Sequence, residues 1–424
     1  MILLLSVLPL ALLALGLPFF LVLLASATTF LLVSGSVPPT ALHQVMFSSI
    51  DKFALLAVPF FIFAGDLMGR GGVSRRLVRW VLSMMGGMRG GLPMTALGTT
   101  AVFSAVSGST AATVAAVGSL TYDRMRQAGY SPRFASGLLV SSAAIDNLIP
   151  PSIGFILYGI SSETSIVKLF AAGLVPGLVM AAFLSLTIWW YVRRGGVEGR
   201  GAPFSGAEFW AATRDGIWSI GAPVAVLGGI YAGIFSPTEA AGIACVYAMV
   251  VVGLVYREMG WMDILESAGR SLILTSQVFI IIAAAGVFSW LLTINGIPQA
   301  LVSWVVELKV QPWMLLLAIN LLLLLVGMFL DTASSILVLT PLLAPVAKVL
   351  GVDPVHFGVI VVMNLSLGTF TPPFGINLFV GQAVFKLPLS VLYSGILPFF
   401  VASLGALALV TYVPDLSLYI LRFL

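Results

Sequence analysis

The chain has 424 residues, of which 60% are hydrophobic and 8% are charged, and its mean hydropathy is +1.11. A soluble domain carries roughly 25% charged residues, so this composition excludes a soluble globular protein and predicts a polytopic, all-α membrane protein. The net charge of +4 does not indicate a nucleic-acid-binding surface, because basic residues concentrate in the cytoplasmic loops of membrane proteins.

Apolar segments of spanning length, roughly 20 residues, occur along the whole chain. The first, residues 2–33, has no basic start and is too long for a cleaved signal peptide, so we interpret it as retained in the membrane. The further candidates are 53–69, 134–160, 169–192, 216–236, 239–256, 271–294, 355–385 and 389–413.

Residues 91–120 are apolar at both ends but small and polar in the middle, from Ser104 to Thr110. Five arginines lie in the loop before this stretch and three in the loop after it. A single crossing would place one arginine cluster outside, against the positive-inside rule, and two crossings would need about 40 apolar residues. We therefore predict a re-entrant hairpin at about 91–120, with its polar tip near the membrane midplane.

The segments that follow this hairpin cross the membrane alternately outward and inward. On this path every arginine of the chain except Arg422 lies on the cytoplasmic side. On that path a second hairpin, at about 312–350 with Gly327 and Asp331 near its tip, opens from the outside. The two halves therefore have opposite orientations and form inverted repeats. The predicted units are the first repeat (1–194), a cytoplasmic connecting segment with an amphipathic helix around Phe209 and Trp210 (195–215), and the second repeat (216–424).

A fixed offset of 222 residues relates glycines and prolines in the two repeats. Because Gly and Pro control where a helix can break, the duplicated property is the shape of the backbone, and each repeat is predicted to contain a broken helix, over 134–160 and 355–385. The pairs are Gly129 and Gly351, Pro132 and Pro354, Pro150 and Pro372, Pro151 and Pro373, Gly159 and Gly381, Gly173 and Gly395, and Pro176 and Pro398.

Each predicted broken helix carries a Pro-Pro pair next to hydroxyl side chains, as in Asn147–Ser152 and Thr369–Phe374. Two successive prolines unwind a turn, and unpaired backbone is tolerated in a membrane only where it is buried in protein or lines a cavity. Freed carbonyls and hydroxyls form a shell of hard oxygen ligands, which predicts a small-cation site in each repeat. A structural kink is the alternative.

Three further features have polar side chains whose role is either structural or functional. Asp146 is an intramembrane carboxylate, either functional or sealed by hydrogen bonds. Asp331 could cap the returning helix of the second hairpin or bind a ligand. Ser236 and Glu239 flank Pro237 in the pattern of a helix capping box, which favours a structural role.

Several stretches together resemble the large membrane subunit (the DctM-like M subunit) of the TRAP (tripartite ATP-independent periplasmic) transporters. The resemblance extends over essentially the whole chain, and the stretches are specific in combination. They are Phe53–Met68, Phe103–Ser109, Ile149–Ser152, Phe235–Ala240, Gly327–Asp331 and Thr371–Gly375.

This resemblance implies an elevator-type protein of the ion transporter superfamily, in a bacterial or archaeal cytoplasmic (inner) membrane, that imports an organic acid such as sialic acid or a dicarboxylate with at least two Na⁺ ions. It also implies two protein partners, a small membrane subunit and a periplasmic substrate-binding protein, and no enzymatic activity. One implied Na⁺ site comprises Ser104, Ser107, Asp146, Ile149 and Pro151, and the other comprises Gly327, Gly368, Thr371 and Phe374. The candidate substrate-binding residues are Ser109, Thr110, Asn147, Asp331, Thr332, Asn364 and Asn377.

One position departs from the family pattern, because the family usually has Gly where this chain has Asp146. Ligation of Na⁺ by the backbone carbonyl survives this change, and the added carboxylate could bind the ion directly or couple transport to protons.

Three other functions are weighed against a transporter subunit. An intramembrane enzyme would need an activated nucleophile, yet His43 and His356 lie far from the polar tips in sequence, and Cys245 is the only cysteine. The chain also has no Gly-Lys dipeptide and hence no P-loop. An ion channel could contain broken hairpins, but inverted repeats favour alternating access. The last alternative is a stand-alone Na⁺- or H⁺-coupled carrier of divalent anions that needs no binding protein.

Overall fold

The computed structural model describes residues 2–34, 38, 40–195 and 204–424, and in these ranges all regular secondary structure is helical. The prediction of an all-α protein is confirmed. The helices up to residue 195 are α1 (Ile2–Ala14), α2 (Phe19–Ser34), α3 (Thr40–Ile50), α4 (Ala57–Arg70), α5 (Val73–Met85), α6 (Gly91–Ser107), α7 (Thr110–Gln127), α8 (Pro132–Ser142), α9 (Ile153–Ser162) and α10 (Ile166–Gly195).

The second half follows the same order of a hairpin, a broken helix and a long helix. Its helices are α11 (Gly206–Tyr231), α12 (Pro237–Val250), α13 (Trp261–Ile294), α14 (Ile297–Glu307), α15 (Pro312–Gly327), α16 (Thr332–Val349), α17 (Pro354–Gly368), α18 (Ile376–Phe385), α19 (Leu389–Tyr412) and α20 (Asp415–Leu418).

Six helical stretches of the described chain are long and apolar enough to cross a membrane, and several shorter apolar helices accompany them. This pattern agrees with a multi-pass membrane protein. The six are Phe53–Arg70, Ile166–Gly195, Pro237–Val255, Trp261–Ile294, Thr332–Val349 and Leu389–Tyr412.

Both predicted hairpins and both predicted broken helices are present. The first hairpin consists of α6 and α7 and the second of α15 and α16, while the breaks separate α8 from α9 and α17 from α18. A short 3-10 turn, Ala143–Asn147, continues α8 to its break.

The structure adds detail to the predicted elements in three places. Segment 2–33 is two helices, separated by a left-handed turn at Gly16 (φ +78°) followed by Pro18. Helices α3, α5 and α14 were not predicted as separate elements. The predicted connecting segment 195–215 contains the start of α11, which continues to Tyr231, while residues 196–203 lie outside the described residues.

Helix α5 was missed because only one of its faces is apolar. Val73, Leu77 and Val81 are buried on that face, while Arg75 and Arg79 lie on the other. The mean hydropathy of such an amphipathic helix is lower than that of a membrane span, although its period of 3.6 residues is visible in the sequence.

The duplicated glycines end the second helix of each hairpin in the same way. Gly129 (φ +91°) and Gly351 (φ +77°) adopt the left-handed conformation that glycine reaches without strain. After each of them, the next N–H bonds back to a carbonyl five residues earlier, from Tyr130 to Met125 and from Val352 to Ala347, both at 3.1 Å. This is the hydrogen bond of a Schellman motif, so the offset of 222 residues does mark a duplicated backbone.

The two repeats interlock in a reciprocal pattern. Helix α7 of the first hairpin packs on α18, and α16 of the second hairpin packs on α9. Likewise α8 packs on α19, and α17 packs on α10. Each broken helix therefore contacts one hairpin helix and the long helix of the other repeat. The pattern is the same in both directions, as expected of two repeats related by a two-fold axis.

The remaining helices form a second layer around this core. Helix α13 packs on α2, α3 and α4, helix α12 packs on α4, and α11 packs on α5. The capping box predicted for α12 is present, because Glu239 N–H donates to Ser236 Oγ at 3.3 Å and Ser236 N–H donates to Glu239 Oε2 at 2.8 Å.

The contact between α8 and α19 has no room for a side chain at its centre. A Cβ atom added at Gly137 would lie 2.2 Å from the Gly395 carbonyl oxygen, and one added at Gly395 would lie 2.2 Å from the Arg133 carbonyl oxygen. We expect Gly137→Ala to reduce the free energy of unfolding by about 1–3 kcal/mol, because both neighbours are backbone and the helices must separate. Thermal unfolding in detergent measures this effect.

Gly228→Ala in α11 is the matched control, since a Cβ atom there meets no atom within 4 Å and Ala favours the helix over Gly. Equal unfolding temperatures for the two variants would contradict a close contact between α8 and α19.

Candidate functional site

The first hairpin tip lies directly on the first broken helix. Helix α6 ends at Ser107, Gly108 turns in the left-handed conformation (φ +63°), and Ser109 caps α7. A Cβ atom added at Gly108 would lie 3.1 Å from the Pro151 carbonyl oxygen. The hairpin tip therefore covers the unwound turn, and both are buried.

Asp146 lies fully buried beneath this tip, and it is held by the hairpin. Its Oδ1 accepts a hydrogen bond of 2.9 Å from Thr113 Oγ1, and Thr113 Oγ1 lies 3.3 Å from Ser107 Oγ. The Ser104 hydroxyl, which donates to the Thr100 carbonyl at 2.7 Å, also lies near this carboxylate. Asp146 Oδ2 is buried and has no hydrogen-bond partner among the described residues.

The predicted residues of the first Na⁺ site are thus brought together. The hydroxyls of Ser104 and Ser107, the carboxylate of Asp146 and the non-helical backbone of Ile149 and Pro151 belong to one buried region, in which α6, α7 and the turn at Ala143–Asn147 contact one another. All these ligand types are hard oxygen donors, as a small cation prefers.

The second repeat builds the corresponding contact from glycine. A Cβ atom added at Gly368 would lie 2.5–2.6 Å from three backbone atoms of Gly327, so the end of α15 touches the end of α17. The buried Thr371 hydroxyl donates to the Leu367 carbonyl at 2.6 Å, which leaves its oxygen lone pairs free to accept or ligate. The Phe374 side chain is exposed and lies 5.7 Å from the Phe329 ring, so only its carbonyl could ligate an ion.

A cavity of about 400 Å³ lies between the two hairpin tips. Five of the seven predicted substrate-binding residues line it, and they come from both repeats: Ser109, Thr110, Asn147, Asp331 and Thr332. The N-termini of α7 and α16 therefore meet at this cavity, and such termini favour negatively charged groups. Both termini carry a side-chain cap: Asp331 Oδ2 accepts from Ser334 N–H at 3.0 Å on α16, and Ser109 Oγ accepts from Ala112 N–H at 3.5 Å on α7. Because the Ser109 hydroxyl is neutral and Asp331 is a carboxylate, an anion is more favourable at the α7 terminus.

The cavity has no cationic side chain in its described lining. Its charged residues are Asp331 and Asp66, and Asp66 on α4 accepts a hydrogen bond from Ser267 on α13. An anion in this cavity would depend on helix termini, hydroxyls and amides rather than on arginine or lysine.

The other two predicted substrate residues lie outside the cavity. Asn377 is fully buried and bridges the repeats, because its Oδ1 accepts from Thr110 at 2.9 Å and its Nδ2 donates to the Thr369 hydroxyl at 3.1 Å. Asn364 donates to Asn320, which in turn donates to Thr411 at 3.1 Å. The structure therefore places Asn377 behind the cavity wall and Asn364 in a separate polar cluster.

The prediction missed four residues of this region. Thr113 binds Asp146, and Asp66, Gln277 and Thr369 line the cavity. A signal existed for two of them: Thr113 lies one helical turn after Ser109, and Gln277 is the only amide in the apolar segment 271–294.

The described residues contain no group of three or more His, Cys, Asp or Glu side chains that could hold a metal ion. The donors around both breaks are hydroxyls, carbonyls and one carboxylate. All of these donors are oxygen atoms, the ligand type that hard cations prefer.

Comparison with known proteins agrees with this architecture. Residues 6–416 match the family described as "Tripartite ATP-independent periplasmic transporter, DctM component". The crystal structure of the YdaH transporter of Alcanivorax borkumensis has a similar fold, with a TM-score of 0.64 at 15% sequence identity, over 88% of this chain and 87% of that one.

Two relatives are each 38% identical to this chain. The C4-dicarboxylate TRAP transporter large permease protein DctM of Rhodobacter capsulatus matches over 96% of both chains. The isethionate TRAP transporter permease protein DctMQ of Oleidesulfovibrio alaskensis matches over 96% of this chain, which spans 64% of that longer protein. These relatives are named as transport permeases, not enzymes, and the chain belongs to the DctM family of TRAP transporter large permeases.

Proposed function

We propose that the chain carries a small organic acid across the cytoplasmic membrane and couples this movement to Na⁺. The observation that supports the proposal best is the duplicated contact between hairpin tip and unwound turn, with one cavity between the two copies. A transporter whose substrate site lies between repeats, with ion sites at broken helices, has this arrangement.

The substrate class follows from the α7 terminus and the relatives. A carboxylate placed at Ser109 and Thr110 would accept hydrogen bonds from the first N–H groups of α7, with Asn147 beside it. Relatives are named for C4-dicarboxylates and for isethionate, which are small organic anions. The cavity of about 400 Å³ has room for a molecule of this size.

Two Na⁺ ions would occupy the unwound turns. The first would lie among Ser104, Ser107, Asp146 and the backbone of Ile149 and Pro151. The second would lie at the backbone of Gly327, Gly368 and Phe374 with the Thr371 hydroxyl. Because each turn lies directly against a hairpin tip, a bound cation would fix that tip and so shape the substrate cavity.

Alternating access would be an elevator movement. The interlocked hairpins and broken helices would move as one body, while α4 and α13, which form the opposite wall of the cavity through Asp66 and Gln277, would remain fixed. The cavity lies at the boundary between these two groups of helices, where such a movement would carry it from one side of the membrane to the other.

Two protein partners complete the proposal. The TRAP systems are tripartite by name, so a small membrane subunit would bind this chain, and a periplasmic substrate-binding protein would deliver the organic acid. The stand-alone carrier remains the competing hypothesis, and a single experiment separates the two.

Reconstitution into vesicles is that experiment. We expect radiolabelled substrate to accumulate only when an inward Na⁺ gradient, the small subunit and the loaded binding protein are all present, because the ion supplies the driving force and the partner supplies the substrate. Equal uptake by this chain alone would favour the stand-alone carrier. Uptake driven by a proton gradient without Na⁺ would refute sodium coupling.

Thr371→Ala tests the second ion site. Loss of the hydroxyl ligand should raise the Na⁺ concentration for half-maximal uptake on the order of tenfold, if the ligand contributes about 1.4 kcal/mol. Thr121→Ala is the control, since Thr121 is equally buried and its hydroxyl also donates to the carbonyl four residues earlier, at 2.7 Å. The same Na⁺ dependence in both variants would exclude Thr371 from the site.

Asp146→Asn tests the first ion site. A carboxylate in a low-dielectric interior attracts a cation far more strongly than an amide does, and Asp146 Oδ2 has no other partner among the described residues. We expect the half-saturating Na⁺ concentration to rise on the order of tenfold or more, while the protein still folds. Wild-type Na⁺ dependence in this variant would remove the Asp146 side chain from the site.

The control for this change is Asp353→Asn. Asp353 caps α17 by accepting from Val355 N–H at 2.8 Å, and asparagine caps a helix equally well. This control variant should therefore keep both folding and Na⁺ dependence.

A further inference from the structure

A second polar cavity, of about 350 Å³, lies beside α5 and shares no lining residue with the cavity between the hairpin tips. Four arginines and one aspartate dominate its wall. The lining residues are Arg75, Arg76, Arg79, Leu82, Arg124 and Asp215. We call it the arginine cavity. Neither the ion sites nor the substrate site uses it.

Ion pairs hold three of these arginines in place. Glu258 accepts from both Arg75 and Arg76 at 2.5 Å. The Arg76 guanidinium also lies 3.6 Å from the centre of the Tyr256 ring. Its side chain is only 15% exposed, and its Nε is buried without a hydrogen-bond partner, although Asp215 lies 3.4 Å away.

The third arginine, Arg79, pairs with two carboxylates of α11. Arg79 donates to Glu208 at 3.0 Å and to Asp215 at 3.4 Å. These pairs bring three guanidinium groups to the wall of one cavity, and the planar fork of a guanidinium group suits a phosphate or carboxylate.

The fourth arginine differs from the other three. Arg124 lies on α7, is exposed, and makes no ion pair among the described residues. The four arginines and the three carboxylates that pair with them leave one uncompensated positive charge. One singly charged anion, such as a phosphodiester, would neutralise it.

The surroundings indicate a membrane lipid as the source of this anion. Helix α11, which supplies Glu208 and Asp215, also bears the exposed rings of Trp210 and Trp218, and Phe204 just precedes it. Aromatic side chains of this kind concentrate at the headgroup level of a bilayer. The arginine pattern of the sequence predicts that this region lies on the cytoplasmic side, where anionic lipids bind to basic pockets.

We propose that the arginine cavity binds the phosphodiester of an anionic phospholipid of the cytoplasmic leaflet. Arg124 belongs to the first hairpin, whereas Arg75, Arg76 and Arg79 belong to α5. The bound headgroup joins α5 to the hairpin and stabilises the conformation in which these two elements lie together. The lipid content of the membrane then shifts the balance between conformations, independently of substrate.

The test uses the full chain purified in a neutral detergent, with thermal unfolding as the readout. Phosphatidylglycerol should raise the unfolding temperature, whereas phosphatidylcholine at the same mole fraction should not. Arg124→Gln should increase the phosphatidylglycerol needed for half of this effect on the order of tenfold. For Arg124→Lys this amount of phosphatidylglycerol should lie between those of the wild type and Arg124→Gln, because lysine keeps the charge and loses the planar fork.

Arg270→Gln is the matched control. Arg270 is also an exposed arginine, and its one ion pair within the described ranges is with its helical neighbour Glu266, at 3.2 Å. A loss of lipid response equal to that of Arg124→Gln would mean that overall charge alone matters, and the proposal would be overturned. Equal stabilisation by phosphatidylcholine, or by millimolar inorganic phosphate, would likewise overturn a phospholipid site.

Discussion

A helix that breaks inside a bilayer leaves backbone N–H and C=O groups without water to bond to, and each unsatisfied group costs several kcal/mol. This constraint governs the core of the protein. Each break must be enclosed by other protein, and the nearest hairpin tip does this in both repeats, at Gly108 against Pro151 and at Gly327 against Gly368. The interlocking of the repeats follows, because each broken helix also needs cover on its remaining sides.

The two copies satisfy this constraint with different chemistry. Gly368 occupies the position that Asp146 holds in the first repeat, and its contact with Gly327 is backbone against backbone. In the first repeat a carboxylate fills the equivalent space and needs Thr113 as a partner. The two repeats therefore share the shape of the backbone, but the two turns differ in charge and in the polar groups that they present.

The two cavities also differ in the charge of their linings. The cavity between the tips is lined mostly by apolar side chains, with hydroxyl and amide groups and capped helix ends among them, and its two carboxylates, Asp66 and Asp331, are hydrogen-bonded. The arginine cavity is charged, three of its arginines pair with carboxylates, and Arg124 has no ion-pair partner in the described part of the chain.

The sequence alone determined the class of protein, both hairpins, both broken helices and the duplication between them, because hydropathy, arginine placement and the positions of Gly and Pro are local properties of the chain. It also identified Asp331 as a possible helix cap and Ser236 with Glu239 as a capping box. Only the tertiary structure decided which polar side chains meet: Thr113 with Asp146, Thr110 with Asn377, and Asp66 with Ser267. It also separated Asn364 from the cavity and gathered arginines from α5 and α7. Contacts between residues far apart in the chain depend on how the repeats pack, and the periodicity of a single helix does not determine that packing.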